Sequence, residues 1–149
     1  MSQVPWWVAV AGMFVIFAIS LLPAILYILT LQRTLSKCEP GSRTIEPGTV
    51  WLLLVPLVNI IFHFFVVLGL AKTLRNEFNR RGIPVADPTP GQTIGMVMCI
   101  ATCCCFIPFL NFLAILVELV CWIVYWVKIA EFSNALDTQP HAYMGTPIV

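Results

Sequence analysis

Long apolar stretches alternate with short polar connectors along this chain. The first stretch, residues 6–31 (WWVAVAGMFVIFAISLLPAILYILTL), contains no charged side chain. About 20 apolar residues in a helix cross a hydrocarbon core, so this stretch is long enough to span one. The second covers residues 49–71 (TVWLLLVPLVNIIFHFFVVLGLA), the third 93–107 and the fourth 112–128. Pro23 and Pro56 each lie inside a stretch and Pro108 just after the third. Each predicts a break or kink, because proline removes a backbone donor and clashes with the preceding turn. The PFLN run, Pro108–Asn111, predicts a hairpin turn, since one helix over both flanking stretches is too long for a bilayer.

The connectors carry turn formers. Residues 33–48 (RTLSKCEPGSRTIEPG) hold two Pro-Gly pairs. Residues 72–81 (KTLRNEFNRR) read as a polar continuation of the second helix: Glu77 and Arg81 form an i,i+4 pair, and Leu74 and Phe78 share a face. Gly82 suits the left-handed conformation that ends helices. The following IPVADPTPG reads as an extended loop. The fourth helix is expected to run on to about residue 136, leaving residues 137–149 as a flexible tail.

Composition decides which solvent these stretches meet. Of 149 residues, 60% are hydrophobic and 10% charged, against about 45–50% and about 25% in soluble domains. A soluble fold of this size has too little interior to hide so much apolar surface. The expectation is an all-α integral membrane protein. A single domain over residues 1–149 forms a helical bundle of four apolar segments, the second re-entrant or Pro-kinked. A net charge of +1 argues against nucleic acid, which demands a basic stripe. The six cysteines form no secreted disulfide framework. CIATCCC (99–105) reads as small packing residues rather than a metal site, and no metal or cofactor is expected.

Charge also bears on orientation. Arg33, Lys37 and Arg43 follow the first stretch, whereas no side-chain charge precedes it, which puts the N-terminus outside and the first connector in the cytoplasm. Lys72, Arg75, Arg80 and Arg81 assign the second connector to the cytoplasm too. A single crossing by residues 49–71 cannot satisfy both. Re-entrance can, with Thr49–Val55 entering, Pro56–Asn59 turning and Ile60–Ala71 returning. The same four cations are candidates for anionic lipid headgroups.

An internal echo favours that reading. PGTVWLLLVPLVN (47–59) and PGQTIGMVMCIATCCCFIPFLN (90–111) both open on Pro-Gly, run apolar and close on Pro-x-x-Asn. Each precedes a long apolar helix that ends in lysine and then Glu-Phe. Broken helices at matching positions of a repeat can mark a binding site.

Polar residues inside apolar runs are the candidate chemistry. Glu118 is the single carboxylate deep in such a run, and membrane-buried ionisable groups are expensive. His63 is its expected partner, with Asn59 and Asn111 as further hydrogen-bonding candidates. No phosphate-binding loop, zinc-protease or nucleophile-elbow signature is present, and no catalytic residue is expected.

RTIEPGTVWLLLVPLVN (43–59), FFVV (64–67), LRNEFNRRG (74–82) and CWIVYWVKIAEF (121–132) resemble an uncharacterised family of small bacterial multi-span membrane proteins. The resemblance covers roughly residues 43–136. It implies a bacterial inner-membrane protein and carries over no activity. The expected function is a non-enzymatic scaffold or accessory subunit in the cell (inner) membrane, packing against itself as a homo-oligomer or against a membrane partner. The alternative is a small channel or transporter component using His63 and Glu118.

Overall fold

The computed structural model describes residues 5–138, and they fold into helices with no strand among them. Helix α1 spans Trp6–Lys37, α2 Pro56–Arg81, α3 Gln92–Cys104 and α4 Asn111–Thr138, with short 3-10 helices at Pro40–Ser42 and Pro47–Leu54. Two of these, counted as Val58–Arg81 and Asn111–Thr138, are long and apolar enough to cross a membrane; Trp6–Val15 and Gln92–Cys104 form shorter apolar stretches. The expected tail lies almost wholly outside the described residues, and α4 runs to Thr138.

The prolines act differently from one another. Pro23 lies inside α1, which continues past it. Pro56 does not kink a helix; it starts one. The 3-10 helix stops at Leu54, Val55 is extended (φ −86°, ψ 109°), and Pro56 occupies the first turn of α2. Proline forces extension on the residue before it and needs no donor in a first turn, so both effects put the boundary here. Pro108 sits in the turn between α3 and α4, as its spacing predicts.

Pairwise contacts fix the register. Tyr27 meets His63 on α2 and Trp122 on α4; further on, Lys37 meets Ser133 and the Lys37 carbonyl meets Arg81. Helices α1, α2 and α4 are therefore parallel. The 3-10 arm runs the other way: Thr44 bonds the Gly69 carbonyl and Thr73, while its far end joins α2 at Pro56. Helix α3 also runs opposite, from Gly95 beside Val67 and Tyr125 to Thr102 beside Glu118. The chain thus makes one long helix and two hairpins, each a short arm followed by a long helix, and both hairpins open toward the same end.

The hairpins stop short. From the level of Tyr27, α1 extends back about 31 Å to Trp6, α2 about 10 Å to Pro56 and α4 about 16 Å to Asn111, at 1.5 Å per residue. The first half of α1 is accordingly bare: Trp6, Met13, Phe14 and Ile19 are 78%, 67%, 67% and 67% exposed.

Gly95 permits the closest approach. A Cβ there would lie 2.5 Å from Val67 Cγ1 and 2.9 Å from Tyr125 Cε2, so α3 packs between α2 and α4 with no side chain of its own. Leu31, Leu35, Val67, Leu70, Leu74 and Ile129 are fully buried where α1, α2 and α4 meet. Leu74 and Phe78 share that face as expected, and Gly82 ends α2 in the left-handed region at φ 66°.

Candidate functional site

The four α-helices and the 3-10 arm Pro47–Leu54 contribute to one cavity. It measures 310 Å³ and is lined by Tyr27 of α1, Leu53 and Leu54 of the 3-10 arm, Asn59 and His63 of α2, Thr102 of α3, and Glu118 and Trp122 of α4, with other apolar side chains. Asn59, His63, Thr102 and Glu118 are each half-buried, so the cavity communicates with the exterior. Its walls are mainly apolar with a few convergent polar groups, the usual composition of a ligand site.

The polar groups fall into two pairings and one orphan. The Tyr27 hydroxyl lies 3.0 Å from His63 Nε2. Tyr27 is fixed by an aromatic cluster, with Trp122, Tyr125 and Trp126 ring centres at 5.6, 6.3 and 6.2 Å. Across the cavity, the Thr102 hydroxyl donates to Glu118 Oε1 at 2.9 Å and the Cys105 thiol to Oε2 at 3.2 Å. His63 and Glu118 share the cavity, yet among the described residues no hydrogen bond joins them. Asn59 Oδ1 is buried without a partner, although its backbone N–H is taken by the Val55 carbonyl. Asn111 behaves otherwise: its side-chain amide donates to the Cys105 carbonyl at 2.6 Å and ties down the α3–α4 turn. The two Pro-x-x-Asn copies therefore differ, one asparagine closing a turn and the other offering a free acceptor.

A second polar cluster lies at the opposite end of α2, beyond the apolar stretch that stops at Ala71. Glu77 is wholly buried. Its Oε1 accepts from Arg80 at 2.7 Å and Arg81 at 2.6 Å, and its Oε2 from the Glu39 backbone N–H at 3.1 Å. Burial alone pushes this carboxyl up; the hydrogen bonds, led by that from Arg80, outweigh it and hold the group down at about 2. Arg81 also donates to the Lys37 carbonyl at 2.8 Å and the Leu136 carbonyl at 2.9 Å. Arg43 donates to the Cys38 and Ser36 carbonyls, and Lys37 to the Ser133 carbonyl and Asp137.

These cations have a structural task. Three parallel helices bring three C-termini together, each with unpaired carbonyls and partial negative charge. Arg81, Arg43 and Lys37 satisfy those of α1 and α4, while the backbone N–H groups of Gly82 and Ile83 serve the end of α2. Of the four cations expected to meet lipid headgroups, Arg81 is engaged inside the protein and Arg80, at the surface, pairs with Glu77 and Glu39, whereas Lys72 and Arg75 are exposed. Sequence reasoning found the Glu77–Arg81 pair but not its role; the signal was the single acid amid NEFNRR, two basic residues following at three and four positions.

No family model matches the chain, and neither does any curated protein or solved structure.

Proposed function

We propose that this is a non-enzymatic integral membrane protein, an accessory subunit whose cavity binds a hydrogen-bond donor arriving through the lipid. The membrane reading draws support from the placement of charge. Apart from Glu118, the charged side chains of the described residues lie toward the C-terminal ends of α1, α2 and α4. Between Trp6 and Gln32, α1 offers about 38 Å of uncharged helix, enough to cross about 30 Å of hydrocarbon with some tilt.

On that axis both hairpins enter from the charged side and turn inside the bilayer. Their tips carry no charge: LLVPLV at the first, CCFIPFLN at the second, with Phe109 99% exposed. Backbone immersed in lipid must satisfy itself. At the second tip the N–H groups of Cys105, Phe106 and Ile107 find carbonyls at the end of α3, and those of Leu110 and Asn111 the Ile107 carbonyl in the turn. Both basic connectors then lie on one side, the cytoplasm, and the N-terminus outside, so the two positive-inside signals agree. Membrane-impermeant labelling of single cysteines tests this. Gly41→Cys, Ala86→Cys and Asn134→Cys should label from one face and Pro5→Cys from the other.

The binding reading is carried by Asn59 Oδ1, a buried unpaired acceptor on the same 310 Å³ cavity as Glu118. An unsatisfied buried polar atom costs about 1–3 kcal/mol, and an amine or hydroxyl headgroup would relieve it. Trp122 reports on the cavity. A long-chain alkylamine should change its emission saturably in detergent, the corresponding alkane should not, and Glu118→Gln should weaken the response. Subtracting the spectrum of Trp122→Phe isolates the signal. A response identical for amine and alkane would overturn the reading.

A further inference from the structure

The register of the three long helices has a consequence for the shape of the protein in a bilayer. We propose that the protein is a wedge that concentrates in membrane curved so that the leaflet on the connector side is convex. This rests on the membrane reading above.

The inference follows from counting chain segments at each depth. At the level of Val67, the cross-section holds α1, the 3-10 arm with its lead-in, α2, α3 and α4, since Gly69 lies against Ile45 and Gly95 against Val67 and Tyr125. About 10 Å beyond Tyr27, at Pro56, the 3-10 arm and α2 have ended. About 6 Å further, at Asn111, α3 and α4 have joined in their turn. From there to Trp6, about 15 Å of helix, α1 continues alone among the described residues. Each helix with side chains is about 10–12 Å across. The connector-side leaflet therefore gives way to a five-segment bundle, and much of the other leaflet to a single helix.

Lipids of that other leaflet must fill the space beneath the hairpin tips. Phe106, Phe109 and Phe112 project there, 69%, 99% and 80% exposed, and offer apolar surface for acyl chains. In a flat bilayer the two leaflets have equal area, so the mismatch stretches one relative to the other. Convex curvature of the connector-side leaflet enlarges that leaflet relative to its partner and removes the mismatch.

Reconstitution of the full chain into phosphatidylcholine vesicles containing a minority of phosphatidylglycerol tests the wedge. Small sonicated and large extruded vesicles would be compared, with orientation assigned by impermeant labelling of Ala86→Cys. Molecules with connectors outward should be severalfold denser per lipid on small vesicles than on large ones. Molecules with connectors inward should be depleted on small vesicles. That reversal of sign within one sample separates a wedge from general preference for defective bilayers. Equal densities for the two orientations would overturn the wedge while leaving the membrane reading intact. Labelling of Gly41→Cys and Ala86→Cys from opposite faces would instead overturn the membrane topology itself.

Discussion

Tyr27, not Glu118, holds His63: the phenol oxygen stands 3.0 Å from Nε2, and the two rings tilt at 55° with centres 6.0 Å apart. The contact joins the middle of α1 to the first hairpin, and Tyr27 in turn packs on the aromatic face of α4. One residue thereby couples all three parallel helices at the depth of the cavity.

Tyr27→Phe keeps the ring and removes only the hydroxyl. The aromatic packing survives, so the loss is that of one hydrogen bond, about 1 kcal/mol. The thermal midpoint in detergent should fall by a few degrees, about the amount such a loss produces in a domain of this size. An unchanged midpoint would mean that another group already serves Nε2.

Acid should loosen the charged end of the bundle. Glu77 is held at about 2 in the folded chain, below the ordinary value of about 4.3 for an unfolded glutamate. A depressed folded value contributes stability that is complete above the unfolded value and lost as pH falls from there toward about 2. Stability measured against pH should decline across that window. Glu77→Gln should start low and show a flatter acid limb. Removing one partner of a buried ionic cluster costs about 3–5 kcal/mol, so the variant should be strongly destabilised at neutral pH. Arg81→Lys should resemble it, because an ammonium cannot reach Glu77 and the Lys37 and Leu136 carbonyls in the fixed fork of a guanidinium.

Helix packing around α3 depends on a missing side chain. Gly95→Ala sets a methyl 2.5 Å from a branched valine carbon and 2.9 Å from a buried tyrosine ring, neither of which swings aside freely. Overpacking of this kind costs about 1–3 kcal/mol. Gly12, on the bare half of α1, has nothing within 4 Å. Gly12→Ala should therefore be neutral or slightly stabilising through helix propensity. Equal midpoints for the two variants would contradict the packing of α3 between α2 and α4.

Much of this arrangement is legible in the sequence, for identifiable reasons. Apolar runs and turn formers predict the helices, and the PFLN run predicts the turn between α3 and α4, because local chemistry governs both. Three other features depend on register. Pro56 starts a helix rather than bending one, since a 3-10 arm ends just before it. His63 meets Tyr27 because α1 and α2 run parallel, which no local pattern dictates, and Glu118 meets Cys105 because α4 folds back along α3. Basic residues that read as an orientation signal also cap the ends of α1 and α4, a role that exists only once the helices converge.

Asn59→Leu separates stability from binding most cleanly. The leucine is close in volume and removes the buried oxygen that lacks a partner. Leaving such a group unsatisfied costs about 1–3 kcal/mol, and an apolar replacement of similar shape can recover part of that. The variant should therefore unfold at a higher temperature than the parent in the absence of ligand, against the usual direction for point substitutions. It should also lose the saturable Trp122 response to a long-chain alkylamine, because the free acceptor is gone from the cavity wall. Glu118→Gln should lose affinity without that gain, since its neighbours Thr102 and Cys105 keep a carbonyl acceptor but see one oxygen replaced by a donor. A destabilised Asn59→Leu with unchanged amine response would show that the asparagine serves the fold, and would remove the observation on which the binding site stands.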